Sequence, residues 1–296
     1  MHNNPKSFAG WLPIILIPVI LIVAFIWWML SGNQPALPGG ADVDTPALET
    51  QALHPIATQT AAPPTPEATG TPTPEPTLSG PQPLPQDRRG LITNGSRTDH
   101  KVALTFDVCQ AEGELSGYDA GIVKVLSETN TPATFFLGGE WIRDHEANAR
   151  ELANNPLFQL GNHSWSHADF SKISAEQMAQ EIGLAQDMLS KLTGRQNNLF
   201  RLPYGFYNDE ALKMLGDDGL YTIQWEAVSG DPDPNIDAAA MIPWVLQQVQ
   251  SGSIIIMHAN GRGWHTAEAL PEIIKTLRER GYTLVTISEL LNIPRP

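Results

Sequence analysis

One cysteine, Cys109, stands in 296 residues, so no disulfide can form within the chain. A domain of about 200 residues buries enough apolar surface without cross-links, so cysteine usage leaves the compartment open. Basic residues are scarce: 18 Lys and Arg stand against 32 Asp and Glu, a formal charge of −14. That balance argues against nucleic acid as a partner, since phosphate binding calls for a basic surface. It argues equally against adhesion to anionic lipid by charge. No Lys or Arg occurs between Lys6 and Arg88, and no Phe, Tyr or Trp between Trp28 and Phe106. A stretch without aromatics cannot supply a packed core. Within it, residues 35–85 carry thirteen of the 25 prolines, in runs such as AAPPTPEATGTPTPEPT. We read 31–90 as a Pro/Thr-rich disordered linker whose role is reach.

What precedes the linker is uniformly apolar. Trp11 to Leu30 is a stretch without one charge, of the roughly 20 residues that cross a bilayer as a helix. Trp11 at one end and Trp27 and Trp28 at the other suit the interfaces, and Pro13 and Pro18 are tolerated in such a helix. A cleaved signal peptide is the alternative, but its apolar core is shorter and no small-x-small site follows Leu30. The sequence therefore predicts a short cytoplasmic N-terminus over 1–10 and a single-pass transmembrane anchor over 11–30. Beyond the linker, a folded domain over 91–296 is expected on the extracytoplasmic side of the cell membrane. Lys6, on the short side, sets that orientation.

From about Leu91 apolar strands alternate with amphipathic helices. Strands are expected over 102–107, 133–138, 158–162, 199–202, 221–225, 253–258 and 283–286. Helices are expected over 118–128, 141–153, 175–192, 209–215, 237–250 and 268–280. About seven alternations predict a parallel α/β architecture, a barrel or an open doubly wound sheet. In a barrel, chemistry sits where strands end and loops begin. Asp107, His163, Arg201, Trp225, Asp231 and His258 all lie at or just beyond expected strand ends.

The strongest chemical signal is His163-Ser-Trp-Ser-His167. If this segment turns helically, i and i+4 share a face and two imidazoles can hold one cation, with positions left open for water and substrate. Taken alone, such a pair is more often two surface histidines; its place after a strand favours the metal. Asp107, ending LTFD, is a turn cap in the ordinary case and a general base beside a metal. Arg201 in FRLPYG is either a plain salt-bridge partner or the group that keeps that carboxylate ionised. Pro203 fixes a turn in which the Tyr204 N–H becomes a candidate oxyanion donor. His258, ending IIIMH, is either a satisfied core residue or a proton donor held charged by Asp231 or Asp233.

In order, LTFD, GNHSWSH, FRLPYG, the segment from Trp225 to Asp233 and IIIMHAN resemble the motifs of the polysaccharide deacetylase family, carbohydrate esterase family 4, also called the NodB-homology domain. The resemblance covers roughly 101–291. It implies a distorted (β/α) barrel and hydrolysis of N-acetyl or O-acetyl groups on a glycan. Carried over by position, it makes His163 and His167 metal ligands, Asp107 the base, Arg201 its tether and His258 the acid. Trp225 becomes a wall of the acetyl pocket. The implied cofactor is a divalent metal ion, Zn2+ foremost, with Co2+, Ni2+ or Fe2+ accepting the same ligands. One departure stands out: where the family places a second, metal-binding aspartate, this chain has Val108, followed by Cys109. The missing ligand is expected from Asp119, with Glu112, Asp107 or water as alternatives; Cys109 is read as a small packed side chain ahead of a zinc ligand or a nucleophile, since thiolate chemistry needs its own activating environment. In NGRGWHT, Trp264 is apt for stacking on a sugar, and His265 for capping the next helix ahead of hydrogen-bonding substrate. The expected substrate is a cell-envelope polysaccharide such as peptidoglycan. An O-acetyl xylan-type esterase and a catalytically silent carbohydrate-binding domain are the rivals, the latter motivated by Val108.

Overall fold

The computed structural model describes residues 82–110 and 116–295. The expected cytoplasmic stub, transmembrane anchor and most of the linker lie outside the described residues, as does Glu112. No helix among the described residues is long and apolar enough to cross a membrane.

Among the described residues nine strands form the sheet: β1 (Leu91–Ile92), β2 (Lys101–Val108), β3 (Ala133–Leu137), β4 (Phe158–Asn162), β5 (Leu199–Phe200), β6 (Tyr221–Ile223), β7 (Ala227–Val228), β8 (Ile254–His258) and β9 (Thr283–Leu284). Their order is β1-β6-β5-β4-β3-β2-β8-β7, with β9 on β2. All these pairings are parallel. The seven expected strands are present; β1 and β7, each two residues long, were not anticipated. Both are too short to carry an alternating pattern.

Only Gln224 to Glu226 separate β6, near one end of the strand order, from β7 at the other. The chain itself therefore brings the two ends of the sheet together. After β1, Asn94 bridges Ser253 antiparallel and Gly95 N–H donates to Gly252 O at 2.8 Å. The result is a distorted barrel of parallel strands.

Strand periodicity sorts side chains into two populations. Val102, Leu104, Phe106 and Val108 of β2 face the helices and join the largest apolar cluster, with Phe135, Ile255 and Met257. Fully buried Leu104 and Phe106 each contribute about 1.5–3 kcal/mol. Ala103 faces the barrel interior, packing with Phe136, Leu199, Ile223 and Ile254. Gly161 is required there because a Cβ would stand 2.6 Å from the Phe136 ring.

The helix Ala175–Thr193 shows why the outer layer forms. Ser174 and Gln177 make a capping box, Gly194 ends the helix at φ 70°, and Met178, Ile182, Ala185 and Leu189 are its buried residues. The last helix, Ile287–Leu291, closes the interior at the strands' N-terminal side. Ile287 and Leu290 join the interior cluster, while the N–H groups of Ile287 and Ser288 donate to Thr134 Oγ1 and Gln159 Oε1, both at 3.0 Å. One end of the barrel is thus filled with apolar side chains, and the strands' C-terminal end is left for polar ones.

Candidate active site

Asp107 shares the interior-facing register of Ala103 and Thr105 and pairs laterally with His258 across β2 and β8. Arg201, fully buried, donates from Nη1 to Asp107 Oδ1 at 2.7 Å. Its other donors reach Ile223 O at 3.3 Å and Gln224 O at 3.4 Å. Its guanidinium lies 4.1 Å from the Phe136 ring centre and 5.6 Å from that of Trp225. Burial opposes ionisation of Asp107. The positive charge of Arg201, foremost among the lowering influences, outweighs it with help from His258 and holds the carboxyl below its ordinary pKa.

His163 follows β4, its N–H bonded to Leu137 O at 3.0 Å. Its Nδ1 lies 2.9 Å from Arg201 O and its Nε2 3.5 Å from Asp107 Oδ2. A proton on Nδ1, donated to that carbonyl, leaves the Nε2 lone pair for a ligand. The ring of His167 lies 5.0 Å from that of His163. The two meet without a helix. Ser164 and His167 both adopt left-handed backbone, φ 65° and 61°, an uncommon state for such residues. Asn162 Oδ1 accepts from Ser164 N–H, and Ser164 Oγ from His167 N–H. Glu181 accepts from the N–H groups of Trp165 and Ser166 and from Ser166 Oγ. The pairing expected from helical spacing is made instead by a turn pinned from the helix Ala175–Thr193. Nothing local marked Glu181 for that task.

Desolvation drives His163 below its ordinary pKa and His167 to about 3, which favours the neutral form of both rings. His167 Nδ1 is buried without a hydrogen-bond partner. Neutral buried imidazoles with an orphaned nitrogen fit a cation site. A donor atom of Cys109 and one from each imidazole all lie within 4.8 Å of one another.

Asp119, the expected third ligand, is not in that group. Its carboxylate accepts from the N–H of Gly261, at 2.8 Å, and of Gly263, so it anchors the loop after His258. That loop carries Arg262, whose charge reaches His167 and His258, and the exposed Trp264. His265 occupies the N-cap position of the helix Thr266–Glu279 but makes no side-chain cap.

His258 is held by Asp231: Nδ1 lies 2.9 Å from Oδ1, and the His258 N–H donates to Oδ2 at 2.7 Å. Ser229 and Thr266 hydroxyls also donate to this buried carboxylate. Burial opposes protonation of His258, but Asp231 outweighs it and the pKa rises. Asp233, the alternative partner, instead accepts from Asn235 within its own turn.

Tyr204 sits on the turn after Arg201 at φ 57°, its ring 4.4 Å from His167. Trp225 is half-buried beside Arg201 and touches the same turn through Gly205, where a Cβ would lie 3.3 Å from its ring.

A family model described as polysaccharide deacetylase matches residues 94–223. The peptidoglycan-N-acetylmuramic acid deacetylase PdaA of Bacillus subtilis is 28% identical over 200 residues, which are 67% of this chain and 73% of that protein. The Listeria monocytogenes peptidoglycan-N-acetylglucosamine deacetylase PgdA is 32% identical over 66% of this chain and 40% of its own length. Among solved structures, the Bc1960 peptidoglycan N-acetylglucosamine deacetylase matches with a TM-score of 0.65 at 26% identity, over 71% of this chain and 96% of that one. Over residues 94–223 the chain carries a polysaccharide deacetylase domain. BA3943 from Bacillus anthracis, described as a pseudoenzyme of carbohydrate esterase family 4, matches with a TM-score of 0.62 at 26% identity, over 68% of this chain and 69% of that one. As a polysaccharide deacetylase, the domain keeps a buried carboxylate tethered by arginine and an imidazole held by aspartate, on neighbouring strands.

Proposed function

We propose that this polysaccharide deacetylase is metal-dependent and removes N-acetyl groups from a cell-envelope glycan such as peptidoglycan, with the cation, Zn2+ foremost, held through His163 and His167. The observation that carries this reading is the position of Asp107, between an imidazole with a lone pair to give and one kept charged by its own carboxylate.

A divalent cation, when bound there, supplies Lewis acidity toward an acyl oxygen and toward water. Everything else falls to the chain. Asp107, kept ionised by Arg201, accepts the proton of the attacking water. The Tyr204 N–H donates to the oxygen that gains charge at the acyl carbon. His258, its Nδ1 engaged by Asp231, delivers a proton from Nε2 to the departing nitrogen. Trp225 walls the acetyl group, and Arg201 is shielded from solvent beneath it. Tyr204 and Phe206 on the His167 side and Trp264 on the His258 side offer exposed ring faces suited to an extended sugar chain. The uncharged run over 11–30 and the Pro/Thr-rich segment after it support a reading in which this reaction takes place on the extracytoplasmic face of the cell membrane, within reach of the envelope.

Acetate release from N-acetylated and O-acetylated oligosaccharides, compared side by side, tests the reading. Release from the N-acetylated glycans that disappears in His163→Ala supports it; exclusive release from O-acetylated xylan chains replaces it with the esterase. A glycan-binding domain without catalysis is the second reading, favoured by Val108 and by the likeness to a pseudoenzyme. Glycan binding with no acetate release in the metal-loaded wild type would select it.

A further inference from the structure

The strand register explains what replaces the absent aspartate. Val108 ends β2 on the face packed against the helices, fully buried in the outer apolar cluster. A ligand there would have to turn away from the packing that fixes the strand. Cys109 comes next, two residues after Asp107, and the alternation of an extended chain returns it to the face that carries Asp107. It is buried, and its sulfur and one nitrogen each of His163 and His167 are mutually within 4.8 Å. Among the described residues this is the one such trio of potential ligands.

Two further observations point to a ligand rather than to packing. His167 Nδ1 is a buried polar atom with no hydrogen-bond partner, a state that native interiors rarely leave unexplained. The surroundings of Cys109 are also polar. Asn260, itself buried, donates from Nδ2 to Cys109 O at 2.8 Å and lies 3.5 Å from its sulfur. An amide N–H beside a sulfur is the outer-sphere support that metal-bound thiolates receive.

We propose that Cys109 is the third protein ligand of the cation, a thiolate standing in for the missing carboxylate. The proposal rests on the metal-dependent reading above and adds the donor set to it. One thiol proton leaves for solvent as the sulfur–metal bond forms, so the ligand brings the same single negative charge that a carboxylate would. The chemistry of the site changes even so. Two imidazoles and a thiolate suit zinc and cobalt and disfavour magnesium, manganese and calcium, which take oxygen ligands.

Cobalt(II) alone, titrated anaerobically into the full-length chain in detergent, reads the ligand directly. The expected result is uptake of one equivalent with an intense near-ultraviolet sulfur-to-cobalt charge-transfer band beside the visible ligand-field bands. In Cys109→Ser the charge-transfer band disappears. Cobalt affinity falls by more than the roughly 10–100-fold that outer-sphere changes cost. Cys109→Asp recovers affinity without that band. One equivalent of cobalt with ligand-field bands but no sulfur band in the wild type would overturn Cys109 as a ligand while leaving the cation on the two histidines. No cobalt uptake by reduced wild-type protein would sink the metal-dependent reading along with it. Because the wild-type spectrum decides, the test survives a variant that does not fold.

Discussion

His163 and His258 flank the same carboxylate, both at the ends of strands of one sheet, yet their environments push them in opposite directions. His163 is wholly buried, and its Nδ1 meets a neutral carbonyl, so desolvation dominates and the ring stays neutral. His258 meets Asp231, whose carboxyl group is itself held by two hydroxyls and a backbone N–H, and the charged form of the imidazole is favoured. In this pair the surroundings of Nδ1 bias the charge state: the buried ring facing a carbonyl favours the neutral form that suits a ligand, and the ring facing Asp231 favours the charged form that suits an acid.

The largest expected effect separates the two directly. Both His163→Ala and His258→Ala should lower acetate release by about 10²–10⁴-fold, but only His163→Ala should also strip the cation. Metal analysis of the purified variants checks this, and equal metal loss in both would erase the distinction. Next in size is Glu181→Ala, which removes the acceptor that pins residues 165 and 166. With the turn released, metal affinity should fall roughly 10–100-fold while acetate release at saturating metal changes far less. Competition with a chelator measures it.

The pH profile sharpens the comparison further. His258 is raised above its ordinary value, so its protonated form persists to higher pH than that of a free imidazole, and activity should fall as pH rises through that elevated pKa. Asp231→Asn removes the negative charge, lowers the His258 pKa and should move the alkaline limb about one pH unit or more downward. An unmoved limb would mean that His258 is not the titrating acid. The smallest effect belongs to the rim. Trp264→Ala should raise KM by roughly 2- to 10-fold, the equivalent of about 0.5–1.5 kcal/mol of stacking, with kcat preserved.

Most of the fold was legible. The apolar strands and amphipathic helices alternate with recognisable periods, and all seven expected strands exist. The two that escaped, β1 and β7, are defined by pairing partners rather than by any pattern of their own. In the site, Asp107, Arg201, His163 and His258 were marked by their position at strand ends and His167 by its spacing from His163, and the structure gathers them. The choice between Asp231 and Asp233 was not legible, because two carboxylates two residues apart are equivalent in sequence. Only one faces His258, while the other closes the turn around Asn235. Asp119 looked available because it precedes a helix; the loop carrying Gly261, distant in sequence, claims its carboxylate.

By itself, the sequence determined the parallel α/β class, the strand-end residues that carry charge and the apolar faces that bury them, because periodicity and residue chemistry are local properties. The tertiary structure alone assigned partners. Which carboxylate meets His258, which residue pins the turn between His163 and His167, and which side chain joins the imidazoles all depend on groups far apart in the chain. Such meetings are set by strand register and barrel closure, and no local pattern encodes them.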